Sequence, residues 1–340
     1  MSGAGHRAMT TAPLRPSPLA ATLGLLVALA ALCLLSLCAG RVWAPLSAWT
    51  AFGHDPRWVI VFQLRLPRTL LGLLVGAALG ASGAALQGYT RNPLADAGVL
   101  GVSSTAALGA VLVLYFGLSA VSPWLLPAAA MAGAAAGFLM LLGLAGAGST
   151  LTTFVLAGIV IQTMATAATT LALNLAPTPW AVDEIVNWLM GALTDRSFEE
   201  VKLAAPFIAA GLALLFSTRR ALDALTLGEL GARALGVNLA AVRLRIAAGV
   251  ALCVGASVAV TGVIGFVGLI TPHLIRPWFG SRPGALVLPS AIGGAVLVLA
   301  ADILVRMTPA AAEIRLGAAM AALGGPFFLA LLIGMRRRAP

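Results

Sequence analysis

Charge is scarce in this chain: 9% of its 340 residues are Asp, Glu, Lys or Arg, where a soluble domain carries about 25%. With 60% of the residues hydrophobic, a soluble fold could not cover its own surface and is excluded. Lysine is nearly missing. Lys202 is the only one, and no GxxxxGK[ST] motif occurs. A phosphate-cradling P-loop needs that lysine, so if ATP drives this protein another subunit must bind it. Histidine occurs three times. His6 lies in the N-terminal tail, His54 in a polar connection and His273 after Pro272 at a helix break, and none is read as a metal ligand. The cysteines Cys33, Cys38 and Cys253 lie in apolar segments. Their spacing matches no metal or redox pattern, and they read as small buried hydrophobes. No catalytic constellation is visible, so no enzyme activity, resident cofactor or metal site is expected.

What the chain has is long apolar runs. Leu19–Cys38 and Thr69–Gln87 are unbroken by charge. A membrane strand needs only about ten alternating residues, whereas a helix needs about 20 continuous apolar ones. Helices also satisfy every backbone group within their own element, as lipid demands. The expected fold is an all-α polytopic membrane protein of about ten transmembrane helices, several short or broken by proline. Charge and proline place them near 19–38, 60–88, 97–116, 124–145, 152–175, 200–216, 242–262, 264–276, 284–305 and 316–334. One transmembrane domain, 19–334, lies between an N-terminal tail (1–18) and a basic C-terminal tail (335–340). Its longest inner loop is 217–240. His6, Arg7 and Arg15 before the first run resemble a secretory signal. That run is about 20 residues long and no clear cleavage site follows, so a retained first span is expected.

Orientation follows from the basic residues. With ten spans and the N-terminus inside, the inner set is Arg7, Arg15, Arg91, Arg219, Arg220, Arg233, Arg243, Arg245, Arg276, Arg282 and Arg336 to Arg338. The inner acids are Asp96, Asp223 and Glu229. The whole net charge of +10 therefore falls on one face, with both termini cytoplasmic. This bias is a membrane signature, and nucleic acid is not an expected partner. A faint internal repeat matches Gly76 with Gly255, Ala77 with Ala256, Gly83 with Gly262 and Pro93 with Pro272. The two segments would run in opposite directions, as in inverted-repeat transporters.

Several short stretches carry more information. Gly72, Gly76, Gly80, Ala84 and Gly88 form one smooth helical face, suited to close helix packing or to lining a pathway. After it, QGYTRNPLADAGVLG interrupts two apolar segments. Pro93 must end the helix, and Asn92 suits a cap, a narrow constriction or a simple turn. RLPR places Arg65 and Arg68 at the outer end of a span, where they act as snorkelling anchors or dock an acidic partner. Arg306 in ADILVR falls on the same face, and Asp302, one helical turn earlier, is placed to pair with it. LTLGELGARALGV reads as a short amphipathic helix, lying on the membrane or seated in a partner's groove.

RLPR, GAALGASGAALQ, RNPLADAGVLGVS, NWLMGAL, GARALGV, VTGVIGFVGLITPHLIR, ADILVR and EIRLGAAMAALGGPFFLALL occur in that order. Together they resemble the FecCD family, the membrane permeases of binding-protein-dependent ABC importers for iron–siderophore complexes, haem and cobalamin. The resemblance implies ten helices per subunit in a homodimer of the bacterial inner membrane, with the pathway at the dimer axis. Two ATPase subunits, carrying ATP and Mg, would sit beneath, and a periplasmic binding protein would dock above. It implies docking by Arg65, Arg68 and Arg306. It places an inner gate at Asn92, Pro93 and Leu94, with a second part at Leu151 and Thr152, although leucine departs from the polar residue of the pattern. It makes Gly228 to Gly236 the coupling helix, through Gly228, Glu229, Ala232, Arg233, Leu235 and Gly236. The candidate pathway is rich in glycine, alanine and aliphatic residues, without fixed charge. That favours haem over ferric siderophore or cobalamin. The alternative is a secondary transporter driven by an ion gradient, which would centre on Asp302 as the one acid at mid-depth.

Overall fold

The computed structural model describes residues 17–40, 42–50, 56–146, 150–308 and 314–336. Most of the two predicted tails, including Arg7, Arg15, Arg337 and Arg338, and also His6 and His54, lie outside the described residues. Among the described residues there is no strand.

Thirteen helices follow one another: α1 (Pro18–Cys38), α2 (Arg57–Thr90), α3 (Val102–Tyr115), α4 (Leu125–Ala145), α5 (Leu151–Asn174), α6 (Pro179–Leu189), α7 (Phe198–Ser217), α8 (Arg219–Ala224), α9 (Gly228–Ala234), α10 (Leu239–Thr261), α11 (Val267–Phe279), α12 (Pro283–Met307) and α13 (Leu316–Arg336). Their starts are written locally. Ser17 caps α1 ahead of Pro18, Thr178 caps α6 ahead of Pro179, and Thr150 and Asn238 cap α5 and α10. Ser197 and Glu200 close a reciprocal capping box on α7.

Among the described residues seven helices are long and apolar enough to cross a membrane: α1, α2, α4, α5, α7, α10 and α12. The shorter α3 and α11, with α13, occupy the remaining three expected positions. α3 has 14 residues and α11 has 13. At 1.5 Å per residue each spans only about 20 Å, less than a hydrocarbon core of about 30 Å. The predicted span from 97 opens instead as a 3-10 turn, Ala97–Leu100, and the helix starts only after Gly101 at φ 76°. The predicted span from 264 starts at Val267, after Phe266 at φ 67°. The irregular backbone just before each short helix, at 95–101 and 262–266, is buried or half-buried in protein, as irregular backbone within a bilayer must be.

α2, α10 and α12 form the inner layer. In their most apolar 18-residue windows 78%, 78% and 67% of residues are buried, against 11–28% in α1, α4, α5 and α7. The small-residue face of α2 seats on α12. A Cβ on Gly76 would lie 2.5 Å from the Gly294 carbonyl oxygen, and Gly80 is equally tight against Ser290. The pathway-lining reading of that stripe is thereby overturned: it is a helix-packing seam.

The internal repeat survives in the pairing of elements and only partly in residue register. α2 packs on α12 as α10 packs on α4, and each short helix packs on the helix that follows it, α3 on α4 and α11 on α12. Gly83, however, sits inside α2 while Gly262 lies beyond the end of α10 at φ 72°, and Pro93 lies in a loop while Pro272 lies inside α11. Those two matches do not correspond, whereas Gly76 and Gly255 do: each lies within its helix, tight against Gly294 of α12 and Ala134 of α4 respectively. Two further differences concern connections. The predicted loop 176–199 contains α6, with Ala181 and Ile185 buried, and α2 reaches back to Arg57 through a π-helical stretch, Ile60–Arg65.

Candidate functional site

At one end of the bundle, α2 stops at Arg91, which adopts the left-handed conformation (φ 51°). Asn92 then folds an Asx turn: its Oδ1 accepts from Leu94 N at 2.9 Å and its carbonyl from Ala95 N at 3.1 Å. Asn92 and Leu94 meet Leu151 and Thr152 across a cavity of about 380 Å³, closed by Thr90, Ala95, Val99, Val155, Leu156 and Ile159. Four of the five predicted gate residues thus line one space, and Pro93 sits in the turn between two of them. Leu151 belongs there as an aliphatic wall residue. The aliphatic members of α5 carry no mark in the sequence that separates them from lipid-facing residues, and helical spacing from Leu151 is the one signal that points to Val155.

The opposite end holds the three predicted docking arginines in a buried network. Arg65, 7% exposed, donates to the carbonyls of Leu37 (3.0 Å), Cys38 (2.7 Å) and Val42. Arg68 grips Asp302 through Nε and Nη2 at 2.9 and 2.8 Å. Arg306 pairs with the other carboxylate oxygen at 3.0 Å and donates to Ser36 Oγ at 2.7 Å and the Ser36 carbonyl at 3.0 Å. These guanidiniums staple α1, α2 and α12 together, so they do not present open forks to a partner. The expected pairing of Asp302 with Arg306 is present, and Arg68 joins it. Beside the network lies a cavity of about 480 Å³, bordered by Gln63, Thr194, Asp195, Arg196 and Ser197 as well as the three arginines. Burial pushes the Arg196 guanidinium below its ordinary pKa, against the Glu200 and Asp195 carboxylates that hold it up. Sequence reasoning passed over Arg196 because nothing local distinguishes it from a solvated loop residue.

The predicted amphipathic helix is α9 at the Asn92 end, close to Arg91. Ala232 is fully buried beneath it, while Leu227, Leu230 and Leu235 are 68%, 83% and 64% exposed. Glu229 and Arg233 stand at its first and last turns, as the helix dipole favours. Gly236 ends it in a Schellman motif: Val237 N donates to Ala232 O at 3.0 Å and Gly236 N to Arg233 O at 2.9 Å. Among the described residues no cluster of His, Cys, Asp and Glu is arranged to hold a metal ion.

Nine apolar helices among the described residues, seven of them long enough to cross a membrane, with a cavity at one mouth and a small helix with exposed leucines beside it, mark a multi-pass membrane protein. Residues 28–334 match the model of the FecCD transport family, and the chain belongs to that family. It is 38% identical over 306 residues to the vitamin B12 import system permease protein BtuC of Shigella boydii serotype 18, covering 89% of this chain and 92% of that one. It is 39% identical over 298 residues to the hemin transport system permease protein HmuU of Yersinia pestis, covering 85% and 88%. A solved structure described as an inward-facing conformation of an ABC transporter, assigned to the metal-chelate type, superposes with a TM-score of 0.82 at 30% identity. That match covers 93% of this chain and 99% of the solved one.

Proposed function

We propose that this chain is the membrane-spanning subunit of an ATP-driven importer for a metal chelate, haem ahead of ferric siderophore or cobalamin. It would work as a homodimer in the bacterial inner membrane with both termini in the cytoplasm. Two ATPase subunits would bind the Asn92 end, and a periplasmic binding protein would dock at the Arg306 end. ATP and Mg would be held by the ATPase subunits.

The reading rests above all on the family match, since permeases for vitamin B12 and hemin are both about equally similar to this chain. The gate cavity is walled mostly by aliphatic side chains, which suits the flat apolar face of haem better than a corrin ringed with polar amides. Leu227, Leu230 and Leu235 offer the apolar surface that a partner's groove would cover. Docking by Arg65, Arg68 and Arg306 is retained in altered form. They shape the rim of the cavity at their end, and Arg196 with its neighbouring loop makes the direct contacts. An ion-coupled mechanism centred on Asp302 is disfavoured by two guanidiniums that hold this carboxylate in pairs.

The test is copurification with an ATPase and a binding protein encoded beside it, followed by ATP hydrolysis and uptake of hemin or vitamin B12 in liposomes. Stimulation by the binding protein together with hemin uptake is expected. Absence of any associated ATPase would overturn the importer reading, and uptake of vitamin B12 alone would overturn haem.

A further inference from the structure

One buried cation links the two halves of the gate to the segment that follows α9. Arg243, only 7% exposed, lies in the second turn of α10. Its Nε donates to Tyr89 Oη at 2.9 Å, and its guanidinium carbon stands 5.7 Å from the centroid of the Phe154 ring. Tyr89 and Phe154 also touch each other edge to face, with centroids 5.9 Å apart. Tyr89 belongs to the last turn of α2, three residues before Asn92. Phe154 belongs to the first turn of α5, two residues after Thr152, and is fully buried. The three side chains thus join the element that follows α9 to both segments bordering the gate cavity.

The link back to α9 is short and stiff. The Schellman motif at Gly236 fixes the end of α9, and Asn238 then caps α10 by accepting from Ala241 N at 3.0 Å. Between them lies only Val237. Glu229 of α9 also lies within electrostatic reach of Tyr89. A displacement of α9 therefore reaches Arg243 across eight residues, 235–242, of which the first four form the turn and cap and the rest belong to α10.

We infer that Arg243 is a positioning residue that transmits movement of α9 to the gate, drawing the Tyr89–Asn92 and Leu151–Phe154 segments with α10. Its charge is the reason. A buried guanidinium separated from its hydrogen-bond acceptor and its aromatic face is costly, so α2 and α5 follow α10 and do not part from it. An aliphatic residue of similar volume could pack in the same place, but it would let the surfaces slide. This inference rests on the importer reading above.

The experiment uses the full complex of permease, ATPase and binding protein in liposomes, with hemin and vitamin B12 as the uptake probes. The variants are Tyr89→Phe, which removes one oxygen, Arg243→Met, Arg243→Lys and the Tyr89→Phe/Arg243→Met pair. For Arg243→Met, binding-protein-stimulated ATP hydrolysis is expected to stay within about twofold while uptake falls at least about fivefold. Arg243→Lys should recover part of the uptake, and the pair should be no worse than Arg243→Met alone. A parallel fall in hydrolysis and uptake, or unchanged uptake in Tyr89→Phe and Arg243→Met alike, overturns the inference. If Arg243→Met does not accumulate as folded protein, the ratio of uptake to hydrolysis in Tyr89→Phe decides. A wild-type complex that binds no ATPase is a separate failure, that of the importer reading itself.

Discussion

Asp302 shows how much one position can say and how much it withholds. Its spacing from Arg306 is one helical turn, so that pair is legible in ADILVR. The clasp from Arg68 is not, because the two residues are 234 positions apart and meet only once α2 has packed on α12. The same holds for Arg65, whose acceptors are carbonyls at the end of α1 and in the turn after it, groups no pattern of side chains announces. Three arginines that look like a docking set in sequence are thus committed to the fold. Replacing Asp302 with alanine removes the carboxylate that two buried guanidiniums share and is expected to cost about 3–5 kcal/mol. The readout is the melting temperature of the solubilised permease. Asp302→Leu combined with Arg68→Met should recover part of the loss, since one of the two buried charges that faced the carboxylate is then removed. Wild-type melting of Asp302→Ala would show that the network contributes nothing to stability.

Among elements, the sequence declares starts better than depths. Caps and proline mark where α1, α5, α6, α7 and α10 begin, and apolar length marks seven of the spans. The breaks before α3 and α11 are harder to see, because the residues at 97–101 and 262–266 are nearly as apolar as a span and irregular backbone there depends on tertiary burial. α6 escaped notice because eleven residues with two acids read as a loop. The glycine stripe is clear as a smooth face, but its partner is not, and only packing distinguishes a seam from a pathway wall. Gly76→Leu should lower stability by about 1–3 kcal/mol through overpacking against α12. Gly24→Leu on α1, with nothing within 4 Å of the added Cβ, should change it by no more than about 0.5 kcal/mol. Thermal melting of the two solubilised variants makes the comparison, and equal melting would sink the seam.

Across the whole molecule the two ends differ in kind, and the difference fits a machine driven from one side. At the Arg306 end Asp302 is paired with Arg68 and Arg306, and side chains cross-link α1, α2 and α12. The Asn92 end carries the smaller cavity and three exposed leucines, and its small helix is tied to the gate by Arg243. Force applied at α9 would thus reach the gate before it reached the far end. On the importer reading, the exposed leucines offer the apolar surface through which an ATPase would apply that force. Leu230, the most exposed of the three, is the natural anchor. Leu230→Asp is expected to cost about 2 kcal/mol or more of ATPase binding, roughly thirtyfold in affinity. Ala232 beneath it keeps α9 seated, so the permease itself should remain folded. Copurification and titration of the ATPase onto the purified permease measure the loss. Full-strength binding by Leu230→Asp would move the driving contact away from α9, and the Arg243 linkage would then lose its input.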